Sequence, residues 1–192
     1  MRTLLTKACG KMTDTIPKIL QDVMNNNKIT TMYDDSLVVF GYGTGKNGIM
    51  ITGEAPSRYG GNITGEPFTS KHSGAFLNEI LLENNIKKNE CFITNMVFCS
   101  PVNNDTPSEY EVMICYPYIK RIIKVLKPRI VILLGRIPSR YLIAEDFIRN
   151  KKYRIDDIEY ISMFHPAYVL RQSSEIRELY KKQLGELLKC EK

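Results

Sequence analysis

The sequence predicts a three-layer α/β/α domain on a central, mainly parallel sheet of about four strands. Three observations carry that prediction. Apolar runs of strand length alternate with stretches of helical spacing along the chain. The run "PRIVILLG", Pro128 to Gly135, is continuously apolar, as suits a strand covered on both faces. Turn-rich segments such as "GYGTGKN" separate the runs. Parallel strands need crossover connections, and the helical stretches supply them.

In chain order, "TDTIPKILQDVM" reads as a first helix with Thr13 or Asp14 as its N-cap. "NNNKITTMYDDS", Asn25 to Ser36, reads as a polar loop. Residues 1–36 are thus a helical extension and loop within one domain of 192 residues. "LVVF" and "GIMIT" read as strands. "SGAFLNEILLENN" has helical spacing of Phe76, Leu77, Ile80 and Leu81. "ECFITNMVF" is strand-like. "TPSEYEVMICYPYIKRIIKVLK" opens with good helix-start residues, and Pro117 predicts a kink or a restart. After "PRIVILLG" come a helix over "RIPSRYLIAEDFIRN", a strand over "IEYISMF" and a closing helix over "SSEIRELYKKQLGELLK".

Composition narrows the class. Net charge is +6, from 27 basic and 21 acidic residues, which is compatible with a polyanionic partner without demanding one. No apolar run approaches the ~20 residues of a membrane span, and the basic start "MRTLLTKACGKMTD" lacks a long apolar core. The expectation is a cytoplasmic monomer with no membrane association. The five cysteines, Cys9, Cys91, Cys99, Cys115 and Cys190, are widely spaced, with no CxxC, which argues against a secreted disulfide framework.

In such a sheet, ligands bind beyond the carboxyl ends of the strands. Three polar signals fall there: "GEAPS" after Thr52, Thr94 and Asn95, and His165 with Pro166. The topology therefore predicts that Glu54, Asn95 and His165 share one cleft. Glu54 is a general base or water-positioning carboxylate, or a loop carboxylate capping the glycine-rich turn. His165 is catalytic, or a structural histidine at a strand end. Asn95 offers a donor and an acceptor to a base edge, or simply forms a turn. Phe68 is an aromatic platform for a flat ligand, or core. His72 is a cap or a surface residue. "GYGTGKNG" superficially suggests a phosphate loop, but it lacks the GxxxxGK[ST] spacing and a strand follows it.

Four motifs then line up in order: "MITGEAPS…GEPF", "FITNMVFCSPVNNDTP", "LKPRIVILLG" and "FHPAYVLR". Together they resemble the uracil-DNA glycosylase superfamily, with the pattern nearest that of its family 4, over about Leu37 to Lys182. The resemblance implies roles. Glu54 would support hydrolysis, and Phe68 would stack on the extruded base. Asn95 would read the pyrimidine edge, with Ala55 beside it in the base-binding set. His165 would stabilise charge on the leaving base. Ser57, Arg58, Tyr168, Leu170 and Arg171 would contact DNA. The segment Tyr168 to Leu170 lies where the family carries its wedge, and Arg171 is placed to reach a phosphate. The partner implied is DNA.

The departures bear on cofactor and substrate. Family 4 carries a four-iron, four-sulfur cluster on four cysteines, two of them in an upstream CxxC. Cys99 and Cys115 match the later two, but "NNNK" stands where the CxxC would fall. The expectation is no cofactor; the alternative, a 4Fe-4S cluster, needs Cys9 and another thiol as substitutes. "RYGGNIT" replaces the family's acidic pair, and "GGNITGEPF" is similar to the single-strand-selective branch. The basic "KCRPPGNR" becomes "FCSPVNND". The small Gly60, Gly61 and Ser70 point to a more open pocket. The function implied is a monofunctional glycosylase for uracil or a modified pyrimidine. One alternative is an anti-phage enzyme for a bulky base such as glucosylated hydroxymethylcytosine. Others are a catalytically weak DNA-binding module and an unrelated nucleotide-binding α/β protein.

Overall fold

The computed structural model describes residues 14–144 and 147–189. Among these residues five strands form one sheet: β1 (Ile49–Gly53), β2 (Phe92–Asn95), β3 (Ile130–Leu134), β4 (Lys152–Ile155) and β5 (Ile158–Met163). The spatial order is β2-β1-β3-β5-β4. β1 pairs in parallel with β2 and β3, and β3 with β5, whereas β4 is antiparallel to β5. Among the described residues eight α-helices accompany them. They are α1 (Ile16–Met24), α2 (Asn27–Thr30), α3 (Gly61–Thr64), α4 (Ser73–Glu83), α5 (Glu109–Leu126), α6 (Arg136–Leu142), α7 (Pro166–Val169) and α8 (Ser174–Leu188).

Side-chain alternation along the strands builds the layers. Met50, Val131 and Leu133 join Ile19, Val23, Ile29, Val112, Ile119 and Ile122 in a core under α1, α2 and α5. Their neighbours Ile49, Ile51, Ile130, Ile132 and Leu134 join Phe76, Leu77, Ile80, Tyr180 and Leu184 in a second core under α4 and α8. β1 and β3 are buried along their whole length, which is why "PRIVILLG" needs no polar face.

The four parallel strands are those read from "GIMIT", "ECFITNMVF", "PRIVILLG" and "IEYISMF". The antiparallel β4 is an addition. Its "KYRI" is largely exposed, and it turns into β5 through Asp156 and Asp157, both left-handed (φ 48° and 64°). That is the backbone of a two-residue hairpin without the glycine that usually signals it. "LVVF" is not a sheet strand. The chain there runs beside β2: the Val39 amide donates to Phe98 O (2.7 Å), and Tyr42 and Ile93 exchange backbone bonds of 2.8 and 2.9 Å.

Helix ends also shift. Thr15 caps α1, accepting from the Lys18 amide, while Asp14 pairs with Arg121 at 2.7 Å; Thr13 lies outside the described residues. One turn, α2, falls inside the stretch read as a loop. α5 runs unbroken through Pro117 and starts from a Ser108–Glu111 capping box. α6 ends at Leu142, well short of the helix read over "RIPSRYLIAEDFIRN". Among the described residues no helix is long and apolar enough to cross a membrane.

Candidate active site

The order β2-β1-β3 places a topological switch point at β1, and the chain ends of four parallel strands meet there. Glu54 follows β1, Asn95 ends β2, Gly135 follows β3, and His165 comes two residues after β5. The predicted convergence of Glu54, Asn95 and His165 is therefore met by the topology. One end of the cleft is a recess of about 40 Å³ lined by Ala55, Pro56, Phe68, Ser70, Asn95 and His165. It opens into a cleft of about 990 Å³ whose walls include Glu54, Ser57, Arg136, Arg140, Tyr168 and Arg171.

Glu54 is half-buried and docked on the start of α6. The Arg136 amide donates to its Oε1 at 3.1 Å. Burial raises its pKa above the usual carboxylate range, while backbone bonds from Ile137 and Arg136 oppose the shift. Gly135 makes this contact possible. Its φ is +106°, and a Cβ there would lie 2.5 Å from Glu54 Oε1. Gly135→Ala is expected to cost about 1–3 kcal/mol of stability from backbone strain alone. A denaturant titration that leaves the midpoint unchanged would show that the backbone at this position does not hold the positive φ.

His165 caps α7. The Ala167 amide donates to its Nδ1 at 3.2 Å. An amide can only donate, so Nδ1 is the acceptor and the proton of the neutral ring sits on Nε2. Burial, with a smaller contribution from Arg171, pushes its pKa down to about 4. The imidazole is thus neutral near pH 7 and presents an Nε2–H donor.

Asn95 is 1% exposed, and neither its Oδ1 nor its Nδ2 has a hydrogen-bond partner. Leaving a buried polar atom unpaired costs about 1–3 kcal/mol, and this residue lines the recess. Phe68 stands beside it, its ring 5.7 Å from that of His165. Phe68 is left-handed (φ 52°), an uncommon state for a bulky residue. The absence of side chains at Gly53 and Gly74 lets the ring and carbonyl of Phe68 pack there, and Lys88 Nζ donates to that carbonyl at 3.5 Å.

Other expected positions fall differently. Arg58 does not line the cleft: its guanidinium pairs with Asp35 and donates to Ser100 O, which ties the loop to the body. Tyr168 is exposed at the rim, whereas Leu170 packs against the core under α8. Of the small residues read as opening the pocket, Gly61 and Ser70 line the recess, whereas Gly60 does not. A Cβ on Gly60 would lie 2.7 Å from the Ser70 amide nitrogen, and one on Gly61 3.1 Å from Glu66 O. These glycines serve close packing within the loop. Sequence reasoning missed Gly135, Lys88, Arg136, Arg140, Phe147 and Phe164. The glycine directly after a buried parallel strand was the one available signal.

Cys99 and Cys115 are buried in the core under α5. Cys99 Sγ donates to Ile29 O at 3.2 Å, immediately after the stretch where a CxxC would have to stand. Burial pushes the thiols up, to about 11 for Cys99 and about 12 for Cys115. Cys91 belongs to the other core, and Cys9 and Cys190 lie outside the described residues. Among the described residues no group of three His, Cys, Asp or Glu side chains is placed to hold a metal ion. Among the described residues Cys99 and Cys115 are the two thiols that share this core, short of the four a four-cysteine cluster needs.

Comparison with known proteins agrees with this geometry. The profile of the Uracil DNA glycosylase superfamily matches residues 40–189. A type-4 uracil-DNA glycosylase of Archaeoglobus fulgidus is 29% identical over 91% of this chain and 94% of its own length. One from Pyrobaculum aerophilum is 38% identical over 76% of this chain and 79% of its own length. One from Sulfurisphaera tokodaii is 32% identical, with 82% and 76% covered. With a match across the sheet, the recess and all four strand ends, the chain belongs to the uracil DNA glycosylase superfamily.

Proposed function

We propose that the protein is a monofunctional DNA glycosylase that extrudes uracil from DNA and hydrolyses its N-glycosidic bond. The observation that carries this reading is the unpaired, buried amide of Asn95, set beside an aromatic ring and a neutral imidazole donor. A pyrimidine in the recess supplies the missing partners. Its ring stacks on Phe68, and its edge takes a hydrogen bond from Nδ2 and gives one to Oδ1, the pattern of a carbonyl beside an N–H.

The chemistry follows from charge. As the C1′–N1 bond breaks, its electron pair goes to the base and the sugar becomes oxocarbenium-like. The His165 Nε2–H meets the oxygen on which the base charge accumulates; a preorganised donor of this kind is worth about 3–4 kcal/mol. Glu54 as carboxylate faces the developing positive charge and orients a water. That water adds to C1′, its proton is released, and an abasic sugar remains. Among the described residues no lysine lines the recess or the cleft, and so none of them places an amine to attack C1′. That supports hydrolysis without a covalent amine intermediate.

Base release from labelled oligonucleotides tests this. The substrates are uracil in single strands, uracil opposite guanine, hydroxymethylcytosine and its glucosylated form, with alkali to reveal abasic sites. Uracil release is expected, since the free donor and acceptor of Asn95 in the recess match a carbonyl beside an N–H. Cleavage only at the glucosylated base would replace this reading with the defence alternative. Asn95→Ala should lower uracil release roughly 10- to 100-fold, the worth of one or two lost hydrogen bonds in a buried site. Its unfolding midpoint should hold or rise, because the variant removes an unpaired buried amide. A matching fall in midpoint would instead make Asn95 structural.

A further inference from the structure

Next to the recess lies a feature that base hydrolysis does not use. Phe147, Phe164 and Tyr168 form a continuous run of tilted rings, with centroids 5.3 and 4.7 Å apart. All three line the large cleft. The Arg149 guanidinium lies 5.4 Å from the Phe164 ring centre and that of Arg171 lies 5.9 Å from the Tyr168 ring centre. Phe164 and Tyr168 bracket His165 in sequence, and the Phe164 carbonyl is fixed by the Tyr180 hydroxyl at 2.7 Å. Tyr168 keeps 42% of its surface exposed.

We propose that this ladder is a second nucleotide subsite: a stacking platform for an unpaired base next to the released one, with Arg149 and Arg171 beside its phosphates. The inference rests on the glycosylase reading and names the form of DNA it prefers. Three things on the surface fit this occupant. The platform is continuous with the recess, so one strand can reach both. Its rings suit the flat face of any base. Its flanking charges suit a phosphate backbone, and aromatic rings interleaved with cations are how sequence-tolerant single-strand sites are built. In a paired duplex the neighbouring base stays within its own stack, and the platform has nothing to hold. The prediction is tighter binding to single strands.

The experiment couples the protein to the neighbouring base. Single-strand oligonucleotides with one uracil carry an abasic spacer at either flanking position, and binding is compared with the unmodified strand. In the wild type, a spacer on one side should weaken binding roughly 5- to 100-fold, the range for loss of one base–aromatic stack. Tyr168→Ala should weaken the unmodified strand by a similar factor and then be indifferent to the spacer. Tyr168→Phe should behave as wild type, which separates lost stacking from misfolding. Independent, multiplying effects of spacer and mutation would overturn the proposal. So would a Tyr168→Ala defect confined to duplex DNA, since that marks a residue that only fills the gap left by the extruded base. Binding of uracil-free single strands, with and without bases, reads the platform even if no base release is found. Failure of the glycosylase reading is thereby distinguishable from failure of this one.

Discussion

Replacing His165 by alanine is expected to slow uracil release roughly 10²- to 10³-fold, the usual loss when one preorganised donor to a developing anion is removed. Single-turnover assays should place the loss in the chemical step, with little change in DNA affinity, because the donor acts on charge that appears only as the bond breaks. The pH dependence is distinctive. With its pKa down at about 4, His165 is neutral through the range where an ordinary histidine titrates. The wild-type rate should therefore show no inflection near about pH 6.5. A rate that falls as pH rises through that point would mean that an imidazolium acts, and would sink the neutral-donor mechanism. Stability carries the complementary sign. The unfolded chain takes up a proton on this ring near about pH 6.5, whereas the folded chain holds it neutral down to about 4. The wild type thus loses stability as pH falls across that window, and His165→Ala should be spared this contribution.

Glu54→Gln is expected to lower uracil release by a comparable factor, about 10²- to 10⁴-fold, because an amide neither orients water as a base nor faces the cationic sugar with charge. The wild-type rate should rise with pH as the carboxyl ionises, at a point above the usual carboxylate range, and this limb should vanish in the variant. Here the stability sign is the opposite of that for His165. A carboxyl whose folded pKa is raised favours the folded state when protonated, and that contribution is lost as pH rises through the folded value. Glu54→Gln should therefore unfold at a higher temperature than the wild type at neutral pH. A variant that is less stable there, or that keeps near-normal activity, would show that Glu54 is a loop carboxylate bracing the α6 start rather than part of the chemistry.

The parts of this molecule legible in its sequence are those written in local patterns. "PRIVILLG" declares a strand buried on both faces, and polar residues just past strand ends declare the cleft, because both signals are contiguous. What escaped depends on partners far away in the chain. The carboxylate of Glu54 is held by an amide 82 residues later. Arg58 shows its charge in the sequence but not its commitment to Asp35. Nothing in "EPFTS" announces that Phe68 is left-handed, since that conformation is imposed by packing around Gly53 and Gly74. The small residues of the motif-one loop suggested space, yet glycine also marks places where backbones touch, and at Gly60 the second meaning holds. β4 was missed because its hairpin turns on two aspartates, and aspartate tolerates left-handed backbone without advertising it.

The two borders of the sheet have a consequence for behaviour at high concentration. An open strand border is a template on which another chain can add a strand, the first step towards aggregation. At β2 that border is closed by the chain's own segment, through the exchanged bonds of Tyr42 and Ile93. At β4 it is four residues long, with Lys152 and Arg154 each in an ion pair on the exposed side. One border is already occupied and the other is short and charged, so growth by strand addition is blocked at both ends. The protein can thus be concentrated without its sheet recruiting its neighbours.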